Sequence, residues 1–115
     1  MTYNRGDVVL VLFPDSNLRT AKRRPALVVQ ADNLQTGLTQ TIVAMISSNM
    51  ARAGHACRVT VRKSSPEGRQ MGLHSDSVIM ADNLATVVDA EIDRVIGHCP
   101  ILPAVEAALR TTLGL

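Results

Sequence analysis

The sequence predicts a mostly-β fold, a small barrel capped by one C-terminal helix. Three observations carry that prediction. Short apolar runs rich in β-branched residues recur along the 115 residues. Polar stretches rich in Gly, Pro, Asn, Asp and Ser separate these runs, and sustained helical spacing is found only near the end of the chain.

The first run, residues 8–13, follows Gly6-Asp7 and ends at Pro14-Asp15-Ser16-Asn17, which marks a buried strand. Residues 14–24 are polar, basic and aperiodic, and read as a mobile loop. Residues 25–30 form the second strand, with Pro25 at its first position, where a missing N–H is tolerated. After a turn region at 31–40, residues 41–46 make a third strand ending in Ser47-Ser48-Asn49. A small, basic loop fills 50–56. Residues 57–62 alternate polar with apolar, as a strand with one wet face does.

Residues 63–68 read as a turn-rich connection, 75–81 as a fifth strand and 84–88 as a further extended segment. A short helical turn is expected at 89–93 and a last strand at 94–99. Pro103 then opens the terminal helix, because proline suits the first helical position. Val105, Ala108, Leu109 and Leu113 give that helix one apolar face, and Gly114 stops it.

Composition narrows the function. The length suits one domain over residues 1–115. Hydrophobic residues make up 46% but aromatics only 2%, so the core must be aliphatic. The two aromatics are Tyr3 and Phe13. A net charge of +2 does not by itself specify a nucleic-acid partner. The basic residues cluster, however. Arg19, Lys22, Arg23 and Arg24 form one set; Arg52, His55, Arg58, Arg62, Lys63 and Arg69 form another. On charge alone these are equally solvated loops or a phosphate-binding surface. Cys57 and Cys99 show neither a disulfide framework nor zinc spacing, and read as free thiols in a reducing cytoplasm. The N-terminus lacks a signal peptide's apolar stretch and no segment suits a membrane span, so a soluble cytoplasmic protein without a membrane partner is expected.

Several catalytic signatures are missing: Walker loop, GxGxxG and GxSxG. His55, His74 and His98 are scattered one per segment and read as surface or partly buried side chains. What remains is a basic loop beside strand ends carrying Arg24, Ser47 and Asp82. Pattern alone stops there, at a small barrel with a nucleic-acid-binding cast. Each of the three residues has a plainer reading: a surface arginine at a strand start, a serine ending a strand, an aspartate in a turn before Asn83.

Four segments carry a resemblance to a known family. Arg5-Gly6-Asp7-Val8 resembles the opening of the MazF/PemK toxins. Residues 22–29 resemble that family's Arg-Pro-x-Leu-Val strand, and residues 41–48 its third-strand segment, which ends in Thr or Ser. Residues 76–83, with Thr86, are similar to its later strand. The likeness runs from about Arg5 to the C-terminus, in matching order and spacing.

The resemblance implies an SH3-like barrel with a C-terminal helix, working as a homodimer. It implies the toxin of a type II toxin–antitoxin system: a sequence-specific endoribonuclease that cuts single-stranded RNA, chiefly mRNA, and so inhibits translation and growth. The 2′-OH would attack the adjacent phosphorus, leaving 2′,3′-cyclic phosphate and 5′-OH ends, with no metal and no cofactor. The partners implied are RNA, the C-terminal segment of a cognate antitoxin, and DNA only through that antitoxin. Arg24 matches the family's catalytic arginine, suited to offsetting charge in the transition state. Ser47 falls where the family has a catalytic threonine, and keeps the hydroxyl. Asp82 matches the acid proposed as general base in one branch, where a raised pKa would help it. That branch has an arginine two positions earlier, where this chain has Met80. Arg19, Lys22, Arg23, Ser48, Asn49, Arg52 and Asn83 would contact RNA.

Two other readings compete. Gyrase-poisoning CcdB toxins share the barrel without being enzymes, but act through aromatic residues on the terminal helix, and residues 104–113 contain none. A plain SH3-like module would need an aromatic groove for proline-rich peptides, and two aromatics are too few.

Overall fold

The structure is a computed structural model that describes residues 3–14, 17 and 19–115, with residues 13 and 14 described by their backbone alone. Six antiparallel strands form one sheet: β1 (Asp7–Pro14), β2 (Ala21–Val28), β3 (Gln40–Ser47), β4 (Arg58–Val61), β5 (Ser77–Val88) and β6 (Ile92–His98). Their spatial order is β4-β5-β3-β2-β1-β6. Among the described residues, two helices, α1 (Pro66–Gln70) and α2 (Leu102–Leu113), complete the set, with short 3₁₀ turns at Met50–Arg52 and Asp89–Glu91.

Alternation along the strands buries apolar residues on both faces of the sheet. Val8, Leu27, Ala44, Ile46 and Ile79 belong to one cluster, covered by Val105 of α2 and by Met71 and Leu73 beyond α1. Val9, Val11, Ala26, Val28, Val43, Val87 and Ile92 form the second. Strands wet on neither face read as continuous apolar runs, which is how β1 and β3 look in sequence.

The expected loop at 14–24 is corrected. β1 and β2 stay in register through Phe13↔Lys22 to Pro14↔Ala21, so residues 21–24 are strand. Their side chains are exposed, so no apolar alternation marks them, and backbone pairing alone makes them extended. The tip, at residues 15, 16 and 18, lies outside the described residues.

Two irregularities shape the sheet. β2 pairs with β3 only from Ala26↔Met45 to Val28↔Val43. Beyond Ala26, β2 follows β1 while β3 follows β5, and the two strands part. Pro25, with no backbone N–H to extend a ladder, stands at the fork. The second irregularity is in β5: Ala44 faces Leu84 but Met45 faces Met80, so residues 81–83 bulge out of the ladder. The expected strands at 75–81 and 84–88 are thus one bulged strand.

The ladder is open, with β4 and β6 as its edges. The turn after α1 closes in on β6 instead. A side chain at Gly97 would drive into the backbone of Gln70 and Met71, and one at Gly72, where φ is +71°, into the Ile96 carbonyl. Two residues without a Cβ let these backbones touch, which makes the fold barrel-like. Residues 63–68, expected as a turn, hold the start of α1, whose cap is the Ser65 hydroxyl accepting from the Gly68 N–H at 3.0 Å. In α2, Val105 and Ala108 are buried as expected, but Leu113 is exposed. Gly114 caps the helix at φ +70°. Cys57 and Cys99 are free and buried, and burial pushes the Cys99 thiol up. Among the described residues no helix is long and apolar enough to cross a membrane.

Candidate active site

Where β2 and β3 part, the sheet opens into a groove of ≈ 1230 Å³. One wall is the exposed half of β2, with Lys22, Arg23 and Arg24. The other is the end of β3 and the turn after it, with Ser47, Ser48, Asn49 and Arg52. Met45, Met80 and Asn83 line it from the β3–β5 ladder and its bulge, and His74 from the segment leading into β5. Four Arg or Lys side chains therefore share the lining, and among the described residues no Asp or Glu does. Such a surface attracts polyanions.

The second wall is organised by short-range hydrogen bonds. The Ser47 Oγ accepts from the Asn49 N–H at 3.1 Å, which orients the hydroxyl and leaves its own proton to donate. The Asn49 side chain in turn accepts from the Ala51 N–H at 3.1 Å and caps the 3₁₀ turn. Arg58 of β4 ties that turn down, donating to the Arg52 carbonyl at 3.2 Å. The same guanidinium grips both oxygens of Asp82, at 3.4 and 2.9 Å.

The structure brings together Arg24, Ser47, Lys22, Arg23, Ser48, Asn49, Arg52 and Asn83 in the groove lining. It does not bring Arg19 or Asp82 into that lining. Arg23 also has its Nε 3.6 Å from an Asp93 oxygen on β6. Asp82 needs correcting in its expected state. The hydrogen bond from Arg58 holds its carboxyl below the usual carboxylate range, outweighing the upward push of partial burial. A base for a sugar hydroxyl is helped by the opposite shift. Asp82 raises the Arg58 pKa in return.

Two residues were not singled out by sequence reasoning. Arg58 is the cross-strand partner of Met80, so a guanidinium is present beside Asp82, supplied by the neighbouring strand. The alternation in β4 was a usable signal, since it put Arg58 on the wet face. His74 had no local signal; only the fold carries it to the groove.

A family model described as "PemK-like, MazF-like toxin of type II toxin-antitoxin system" matches residues 4–113. The curated relatives include endoribonuclease MazF6 of Mycobacterium tuberculosis and endoribonuclease MazF2 of Mycobacterium bovis. Each is 30% identical over 107 residues, covering 90% of this chain and 90% of the relative. Among solved structures, the M. tuberculosis toxin MazF-mt6 shares the fold with a TM-score of 0.72 at 24% identity, covering 95% of this chain and 97% of that one. A MazE-MazF structure (Form-III) from Deinococcus radiodurans gives a TM-score of 0.74 at 20% identity, covering 100% and 99%.

Proposed function

This chain belongs to the PemK-like, MazF-like toxin family of type II toxin–antitoxin systems and is an endoribonuclease, and we propose that it cuts single-stranded RNA in the groove between β2 and β3. The observation that carries this reading is the placement of Arg24 and Ser47 on the two walls of one cationic groove. A phosphodiester lying between them meets a guanidinium on one side and a hydroxyl donor on the other.

The ribose 2′-oxygen attacks the adjacent phosphorus, the O2′–P bond forms, and the P–O5′ bond breaks. The products are a 2′,3′-cyclic phosphate and a 5′-OH end. Charge builds on the phosphoryl oxygens during this step. Arg24 offsets it with a group that stays ionised, and Ser47 donates a hydrogen bond to it. Lys22, Arg23 and Arg52 position neighbouring phosphates, while Ser48, Asn49 and Asn83 are placed to meet sugars or base edges. The chemistry so written uses neither metal nor cofactor.

In this reading one domain spans residues 1–115 and acts in the cytoplasm, chiefly on mRNA, to arrest translation. A cognate antitoxin inhibits it through the antitoxin's C-terminal segment and provides the only link to DNA. The working unit is a symmetric homodimer, since Leu12 of β1 and Val95 of β6 leave apolar side chains exposed. A stable monomer at micromolar concentration in sedimentation would rule that assembly out. The relatives at 30% identity are endoribonucleases, which decides against the gyrase-binding alternative.

Primer extension on a long RNA, with and without EDTA, tests the function. Discrete stops that persist in EDTA, with cyclic-phosphate ends, are expected. Loss of all cleavage in EDTA would overturn the metal-free mechanism, and uncut RNA would overturn the nuclease reading.

A further inference from the structure

Attack by the 2′-OH releases a proton, and the groove contains few groups able to take it. Arg and Lys side chains stay protonated near neutral pH, and Ser and Asn do not titrate there. No carboxylate is among the described lining residues, and Asp82 is engaged by Arg58 outside it. Among the described lining residues, one is of a type that both accepts and releases protons near pH 7, and it is His74.

From this accounting we propose that His74 is the general base of the cleavage, an inference that rests on the endoribonuclease reading above. The backbone around it is well anchored. Leu73 is buried in the core and its N–H donates to the Gly68 carbonyl at 3.1 Å. On the other side, the Asp76 carboxylate accepts from the Lys63 N–H at 2.9 Å and from Arg62 at 3.2 Å. The Ser77 hydroxyl donates back to the Ser75 carbonyl at 2.9 Å. His74 is exposed and lines the groove. Four residues further on, Val78 faces Ser47 across the β3–β5 ladder, so the segment that carries His74 leads into the strand beside Ser47. Among the described residues, the charged groups that share the groove lining with it are Lys22, Arg23 and Arg24 from β2 and Arg52 from the 3₁₀ turn, and the Arg62–Asp76 pair holds the chain two residues further on.

In the step, the 2′-OH proton passes to a neutral His74 ring nitrogen as O2′ bonds to phosphorus. The electron pair of the P–O5′ bond leaves on O5′, which takes a proton from solvent water. The imidazolium then returns its proton to solvent, and the balance closes.

The test is the pH–rate profile of His74→Gln and His74→Ala under single turnover, beside the wild type. Circular dichroism checks that both variants are folded. A second substrate carries 2′-deoxyribose at the scissile position. The wild-type rate should rise with pH and then level. Both variants should lose about 10²–10⁴ in rate and lose that rising limb, and added imidazole should partly restore His74→Ala. Undiminished cleavage by folded His74→Gln, or a slowed variant that keeps the limb, overturns the inference. Wild-type cleavage of the deoxy substrate would instead overturn the 2′-OH mechanism on which it rests.

Discussion

The two halves of β2 are paired to the same neighbour yet live in different solvents. Ala26, Leu27 and Val28 sit between β1 and β3 and are buried. Lys22, Arg23 and Arg24 pair only with β1 and face water. The first half is held by packing and the second by a backbone ladder that is indifferent to side chains. Chemistry can therefore be placed on the second half without cost to the core, provided the strand leaves β3 at Pro25. The difference teaches that the fork opens the groove, which the turn after β3 and the segment before β5 then complete.

Four substitutions break or sharpen that contrast. Leu27→Ala should cost about 2–5 kcal/mol of stability, because a fully buried side chain leaves a cavity. Urea unfolding measures this, and the folded fraction should still cleave. Arg24→Ala, three residues away, should do the reverse. It should slow cleavage about 10²–10³-fold with an unchanged urea midpoint. Wild-type turnover in folded Arg24→Ala would remove Arg24 from the mechanism. Ser47→Ala should lose less, and Ser47→Thr should be tolerated.

Salt dependence divides the polar half more finely. Lys22 lines the groove and Arg19 does not. Lys22→Gln should lower the slope of log K against log salt by about 0.7, the value for one single-strand phosphate contact. Arg19→Gln should leave the slope where it was. Lys22→Gln should weaken a cognate and a scrambled uncleavable oligonucleotide alike, and Arg19→Gln should weaken neither. A loss confined to the cognate sequence would mean that this strand reads bases.

The smallest effect is expected at Asp82. Asp82→Asn should lower the rate less than tenfold, mainly through KM, by loosening the turn that carries Arg52. Its folded-state pKa is depressed by Arg58. The stabilisation is therefore present above the unfolded carboxyl value, about 3.9, and lost as pH falls through the folded value. Asp82→Asn should flatten that acid-side loss in a series of urea midpoints. A rate loss as large as that of Arg24→Ala would restore Asp82 as a catalytic group.

What could be read from the chain follows the same division. β1, β3 and the buried half of β2 announce themselves because burial forces apolar choices along most of their length. The terminal helix shows in Pro103, Val105, Ala108 and Gly114, although Leu113 lies on the exposed side. The paired half of β2 was hidden because a wet ladder asks nothing of its side chains. α1 was hidden because only five residues are helical, marked by one serine cap and one proline. In the site, Arg24 and Ser47 were found by resemblance and not by pattern. Arg58 escaped because it matters through contacts with Asp82 and Arg52, and His74 because the groove it lines is assembled from segments far apart in the chain.

The order of the strands also sets a timetable for synthesis. Val8 is paired with Leu27 on one side and with Gly97 on the other. The first pairing can form once a hairpin has left the ribosome, but the second waits for almost the whole chain. Pairings so distant in sequence are slow to close. Until then β1 keeps an open, apolar edge of the kind that invites aggregation. The turn after α1 likewise has no Gly97 to settle against, and the groove lacks Ile96 from its lining. A nascent or truncated chain that stops short of β6 thus lacks the partner of one β1 edge, the backbone against which the turn after α1 rests, and part of the groove lining.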